Sequence, residues 1–189
     1  MKQHHLLFLI ISLCFVNTSS VQALPTIVAD ELEESSPYGD PPYEDLRASS
    51  TLAPQCKGKC TYYVQHLADG DESTAWVEGK RGYGISQYFE FYQTVNSSNP
   101  DCTWFIMNGY QKSYDSWLKN SRVRKIKLYV NTIPIAHVKL HDVMGWQSFV
   151  LYSLKSRNRR LKFRVEIADV YKGSKWKDTA ISDVQIACH

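Results

Sequence analysis

Across positions 161–167 the side chains alternate strictly: Leu161, Phe163, Val165 and Ile167 are apolar, and Lys162, Arg164 and Glu166 between them are charged. A period of two places one set on a buried face and the other in solvent, which a strand allows and a helix does not. The pattern recurs at Ile126, Leu128 and Val130, at Ala136, Val138 and Leu140, and at Val184, Ile186 and Cys188. Shorter runs at 88–92, 103–107 and 148–152 add further strands. Turn-forming residues at 99–101, 108–109, 131–134 and 173–174 separate them. Seven or more short strands with no long amphipathic helix predict an all-β fold, an antiparallel β-sandwich.

The two ends of the chain differ from this middle. Lys2 and the eleven apolar residues at 6–16, followed by Val21 and Ala23, read as a secretory signal at 1–23. A membrane span would need roughly 20 apolar residues. Four cysteines then remain, Cys56, Cys60, Cys102 and Cys188, an even number suited to disulfides in an exported chain. Three pairings are open: the Cys56–Cys60 loop could close on itself, or one of its cysteines could reach Cys188. A zinc site would need a second close Cys or His pair, which the sequence lacks.

Charge divides the exported part. Residues 24–50 hold seven Asp and Glu against the single Arg47, with four prolines, and read as a solvated acidic linker or as a segment folding back over a basic surface. Residues 51–189 carry 20 Lys and Arg against 12 Asp and Glu. The whole-chain charge of +3 therefore conceals a basic domain of +8. Such a domain suits anionic partners, acidic glycans or an anionic membrane surface, although net charge also serves solubility. Nothing points to nucleic acid. The basic run at 155–162 suits either a charged hairpin or a heparin-like polyanion, and Asn96-Ser97-Ser98 is an N-glycosylation sequon.

The sharpest local motif is LADGDESTAW at 67–76. Gly70 permits a tight turn between Asp69 and Asp71, and Thr74 adds oxygens, a donor set that suits Ca²⁺ as well as an ordinary Asp-Gly turn. With Asp183 in ISDVQI at 181–186, the arrangement resembles coagulation-factor type C (discoidin) domains. The resemblance implies a structural Ca²⁺ held by Asp69, Asp71, Thr74 and Asp183, with Asp where the family commonly has Glu. Later segments narrow it: WVEG at 76–79 with GYGI at 82–85, MNGYQKS at 107–113 with NSRV at 120–123, DVMG at 142–145, and YKGSKWKDT at 171–179. Together they are similar to the NADase-type glycan-binding domain, a module found beside a streptococcal NAD glycohydrolase, where it assists toxin translocation. That likeness spans 49–189 and implies a galactose-binding-like sandwich of jelly-roll type with a glycan as its partner.

A sugar site combines an aromatic face with groups that hydrogen-bond hydroxyls, gathered by loops at one end of a sandwich. Trp76, Tyr83, Tyr110 and Tyr171 can supply faces, and Glu78, Asn108, Lys112, Arg122, Lys175 and Asp178 polar contacts. Trp76 could equally be core, and Lys112, Arg122 and Asp178 could equally form ion pairs that hold the loops. No catalytic constellation accompanies them: there is no G-x-S-x-G elbow, the histidines are scattered, and Glu78 has no second carboxylate segment beside it. The expectation is a secreted or periplasmic binding module, not an enzyme.

Overall fold

A computed structural model describes residues 23–32, 39–41, 44–56, 61–156 and 159–189. The signal expected at 1–23 falls almost wholly outside them. In chain order the elements are β1 (Thr26–Val28), β2 (Asp30–Glu31), β3 (Glu44–Ala48), a 3₁₀ turn (Val64–Ala68), β4 (Trp76–Val77), β5 (Tyr88–Thr94), β6 (Cys102–Asn108), α1 (Tyr114–Lys119), β7 (Ser121–Val130), β8 (Ile133–Lys139), β9 (Trp146–Leu151), β10 (Arg160–Tyr171) and β11 (Thr179–Cys188). All seven strands expected from alternation form, and most extend beyond the pattern.

The strands run β2-β9-β6-β11-β7-β10-β5-β3, with β4 beside β11 and β1-β8 beside β7. The sheet folds back on itself at β11. Its residues Asp183–Cys188 pair antiparallel with β6, while Thr179 and Ala180 pair parallel with Ser121 and Arg122 of β7. The two halves therefore face one another, and their alternating apolar residues fill the space between. Trp104 of β6 lies 5.1 Å from Phe163 of β10, 5.6 Å from Phe91 of β5 and 5.7 Å from Phe149 of β9, ring centre to ring centre. Trp76 and Phe89 extend this aromatic core.

The ladder is not wholly antiparallel, because β1 also runs parallel to β8. β1 belongs to the stretch read as a linker, and there the structure departs from the sequence. Three short strands from 24–50 cover three sheet edges: β1 on β8, β2 on β9 and β3 on β5. Edge pairing satisfies backbone N–H and C=O groups and asks little of side chains, so an acidic, proline-rich stretch can supply it. Ala29 is buried, and Ile27, Leu46 and Ala48 pack on the core. The domain boundary expected at 51 thus lies inside the folded unit.

Cys102 and Cys188 sit opposite one another in the β6–β11 ladder and are bonded, joining residues 86 apart. Cys188 therefore does not reach back to 56 or 60, and Cys56 is itself disulfide-bonded. The β7–β8 hairpin turns on Asn131 and Thr132, both at positive φ, 48° and 74°, which matches the right-handed twist of the flanking strands.

The Trp104→Ala substitution empties the centre of the ring cluster. A loss of about 3–5 kcal/mol is expected, read by urea unfolding of the oxidised protein.

Candidate functional site

The segment MNGYQKS leaves β6 and enters α1, a helix that the strand-based reading did not anticipate. Ser113 caps it by accepting the Ser116 amide, and Lys119 pairs with Asp115 one turn earlier at 2.5 Å. The open carbonyls at its other end are filled by the loop before β11. Ser174 N donates to Leu118 O at 2.9 Å, while Lys175 N and Trp176 N both donate to Lys119 O, at 3.2 and 2.7 Å. Gly173 allows this approach, since a Cβ there would lie 2.4 Å from Lys119 O.

This docking builds a cleft. It is about 340 Å³ in volume, with Tyr62, Tyr110 and Trp176 as aromatic walls and Gln55, Ser116, Asn120 and Asp178 among its polar groups. Tyr62 and Tyr110 meet edge to face, 6.4 Å apart and 85° inclined, so their planes present two orientations. Trp176 is 47% exposed, an unusual state for so large a ring, and Lys175 Nζ sits 4.5 Å from its centre. Burial, together with Tyr62 and Asp71 nearby, pushes the Tyr110 hydroxyl above its ordinary pKa, so it is a neutral donor at physiological pH.

Of the ten residues expected to bind ligand, Tyr110 and Asp178 line this cleft. Lys175 is exposed beside it, against Trp176. The others serve elsewhere. Trp76 is fully buried and donates its indole N–H to Ser50 O, so it belongs to the core. Glu78, also fully buried, accepts the Lys80 and Thr179 amides and is packed against Gly84, whose φ of +66° and lack of a Cβ make the room. Burial raises the Glu78 pKa, opposed by those two amides and reinforced by Asp178. Asn108, buried, bonds both the N–H and the C=O of Val123, stitching β6 to β7. Arg122 is 5% exposed, forked onto Asp142 at 2.7 and 2.9 Å and stacked on Trp117 at 4.3 Å. Its remaining donors meet the Trp117 and Asn120 carbonyls, so it holds the helix rather than facing a ligand. Tyr83 lies under Lys172 and Lys177, Lys112 is exposed outside the cleft lining, and Tyr171 donates to Leu140 O at 3.0 Å in another groove.

Sequence reasoning missed Tyr62, Trp176, Gln55 and Asn120. Trp176 had a legible signal, a tryptophan between two lysines in a loop with no alternation to bury it. Tyr62 had none, because only the fold brings Leu52, Gln55 and Tyr62 to the helix.

The four residues expected to hold a metal lie between the 3₁₀ turn and β11. Asp69 accepts the Asp71 amide, the Thr74 hydroxyl and His66, in the manner of an Asx turn. Asp183 is 2% exposed, and its Oδ1 has no hydrogen-bond partner. Burial, with Asp69 and Glu72 adding, raises its pKa to about 7 against the pull of the Val184 amide. Among the described residues no three Asp, Glu, His or Cys side chains close into a cage. The unpartnered Asp183 Oδ1, in the field of the Asp69 and Glu72 carboxylates, nonetheless fits a cation in its electrostatics.

A sandwich closed by one bridging strand, with a loop-built aromatic cleft, defines a discoidin-type module. Residues 38–187 match the NAD glycohydrolase translocation F5/8 type C domain, and the chain belongs to that family. Among solved structures, two of the mycobacterial arabinofuranosyltransferase AftD share the fold, with TM-scores of 0.53 and 0.51 and identities of 11% and 13%. Each covers 76% of this chain, which spans 11% of the transferase chain. A Clostridium perfringens CBM32 module, solved in complex with GalNAc-β-1,3-galactose, aligns at a TM-score of 0.47 and 14% identity over 75% of this chain and 92% of its own. No curated protein sequence matches.

The Arg122→Ala substitution leaves Asp142 unpaired and frees the helix. A loss of about 3 kcal/mol is expected in thermal and urea unfolding, whereas a direct ligand contact would weaken binding at unchanged stability.

Proposed function

We propose that this protein is an exported, non-catalytic module that binds a glycan in the cleft between α1 and the loop before β11. The observation that carries it is the cleft: three aromatic rings, two of them meeting edge to face and the third a half-exposed tryptophan, around amide and carboxylate groups. Ring faces pack on the C–H sides of a sugar, and Asn120, Gln55 and Asp178 can hydrogen-bond its hydroxyls. A volume of about 340 Å³ suits one or two sugar residues. Export is supported by the apolar leader at 6–16 and by the Cys102–Cys188 disulfide. Membership of a translocation-domain family fits a role in anchoring a partner at a glycan-bearing surface.

A structural Ca²⁺ belongs to the same proposal. Asp69, Asp71, Thr74 and Asp183 would hold it, and it would supply the positive charge that the buried Asp183 lacks. It would tie the 69–74 turn to β11 and would take no part in sugar contact.

A glycan array probed with the full, disulfide-intact chain is expected to give defined hits. The Trp176→Ala and Asp178→Ala variants should lose affinity about ten-fold or more at unchanged Tm. No hits with folded protein, or hits indifferent to Trp176→Ala, would overturn the reading, and binding to anionic liposomes alone would favour a lipid partner.

Millimolar Ca²⁺ should raise the Tm of the full chain by about 5–10 °C, reversibly with EDTA. The Asp183→Asn variant should lose that rise, as differential scanning calorimetry would show.

A further inference from the structure

The outer face of the β8-β7-β10-β5 layer is a ladder of charged and aromatic side chains, and most of its charges are matched. Glu90 pairs with Lys162 and Arg164, Arg160 with Glu44 and Asp45, and Arg160 and Arg164 stack on Tyr92 and Tyr88 at 4.0 Å each. Two rows at the β7–β8 end differ. Lys125 of β7 stands directly opposite Lys139 of β8, and Lys127 directly opposite His137. Paired residues share a face with Cβ atoms about 4.5–5.5 Å apart, where like charges are destabilising. Burial and the neighbouring lysines hold His137 below its ordinary pKa, with Glu166 opposing.

Little acidity answers the Lys125–Lys139 pair. In the next strand, β10, Asp169 is level with Lys125 but is bonded by Arg124, and Lys125 reaches it only through its field. Lys127 is already held, 5.0 Å over the Tyr129 ring, with Tyr129 and Glu166 raising its pKa. On the other side, β1 presents only Thr26 and Val28 to His137 and Lys139. No ion pair is made by Lys125 or Lys139 among the described residues. The rows open into a groove of about 400 Å³ lined by Arg124, Lys125, Lys139, Asp169 and Tyr171, the last held by its bond to Leu140 O.

We infer that this groove, with the facing Lys125–Lys139 pair on its wall, is a second binding site, for a polysaccharide bearing sulfate or uronate groups. Lys125 and Lys139, about 5 Å apart across the pair, with Arg124 beside them in the groove, meet negative charges on a linear chain. Tyr171 offers a ring to one sugar. The repulsion between Lys125 and Lys139 is relieved when such a chain binds. The site shares no lining residue with the Trp176 cleft, so it stands or falls independently of the function proposed above.

Heparin serves as the probe, in titration calorimetry and in salt elution from immobilised heparin, with the full chain. Wild type should bind with an affinity that falls steeply with salt. The double variant Lys125→Gln, Lys139→Gln should lose about ten-fold in affinity and elute at lower salt, with a Tm equal to or above wild type because the repulsion is gone. Trp176→Ala should bind heparin as wild type does. Retention of affinity by the double variant would overturn the inference. So would loss that follows Lys155→Gln in the basic 155–162 run instead, or binding to phosphatidylserine vesicles without binding to heparin.

Discussion

The molecule depends on one strand serving two partners that lie in different layers. β11 enters alongside β7 for two residues and then crosses to β6 for six, so the sheet must fold over at this point. Its side chains on both sides are buried from Thr179 to Val184, which explains why the strand reads apolar and small at its start. Asn108 reinforces the same crossing by bonding Val123 across the gap where β6 and β7 separate. The disulfide closes the far end, and the aromatic cluster around Trp104 fills what lies between.

The crossing also decides where a ligand can sit. The loop before β11 is short and must descend beside α1, and its amides complete the helix's last turn. Helix and loop thereby hold each other, and the cleft is the space left between them and Leu52, Gln55 and Tyr62. Arg122 anchors the arrangement from below by gripping Asp142 and two carbonyls. Arg122 and Glu78, which look available to a ligand in the sequence, are thus spent on holding backbone and loops around the site.

The acidic N-terminal stretch shows how composition can mislead. Its charge and prolines leave it too little apolar surface for a core of its own. Existing sheet edges change the outcome, because they offer backbone partners wherever a short extended piece can lie flat. Three such pieces suffice to cover β8, β9 and β5, and Glu44 and Asp45 then meet Arg160. Part of the acidic segment therefore does fold over basic side chains, at an edge.

The sequence alone determined that the chain is β-rich, which residues alternate into the core, and where most turns fall. Those are local matters, governed by a period of two and by residues such as Asn131 that tolerate positive φ. The turn at 69–74 was also legible, because Gly70 and its flanking aspartates carry its chemistry in a short motif, whereas Asp183 stood out only through the resemblance to discoidin domains. Only the tertiary structure decided which polar residues face solvent and which are clamps. Glu78, Asn108 and Arg122 are indistinguishable from ligand groups until their backbone partners, 15 to 101 residues away for Asn108 and Glu78, come into place. Tyr62 and Trp176 share a cleft for the same reason: sheet folding at β11, which no local pattern encodes, brings their loops together.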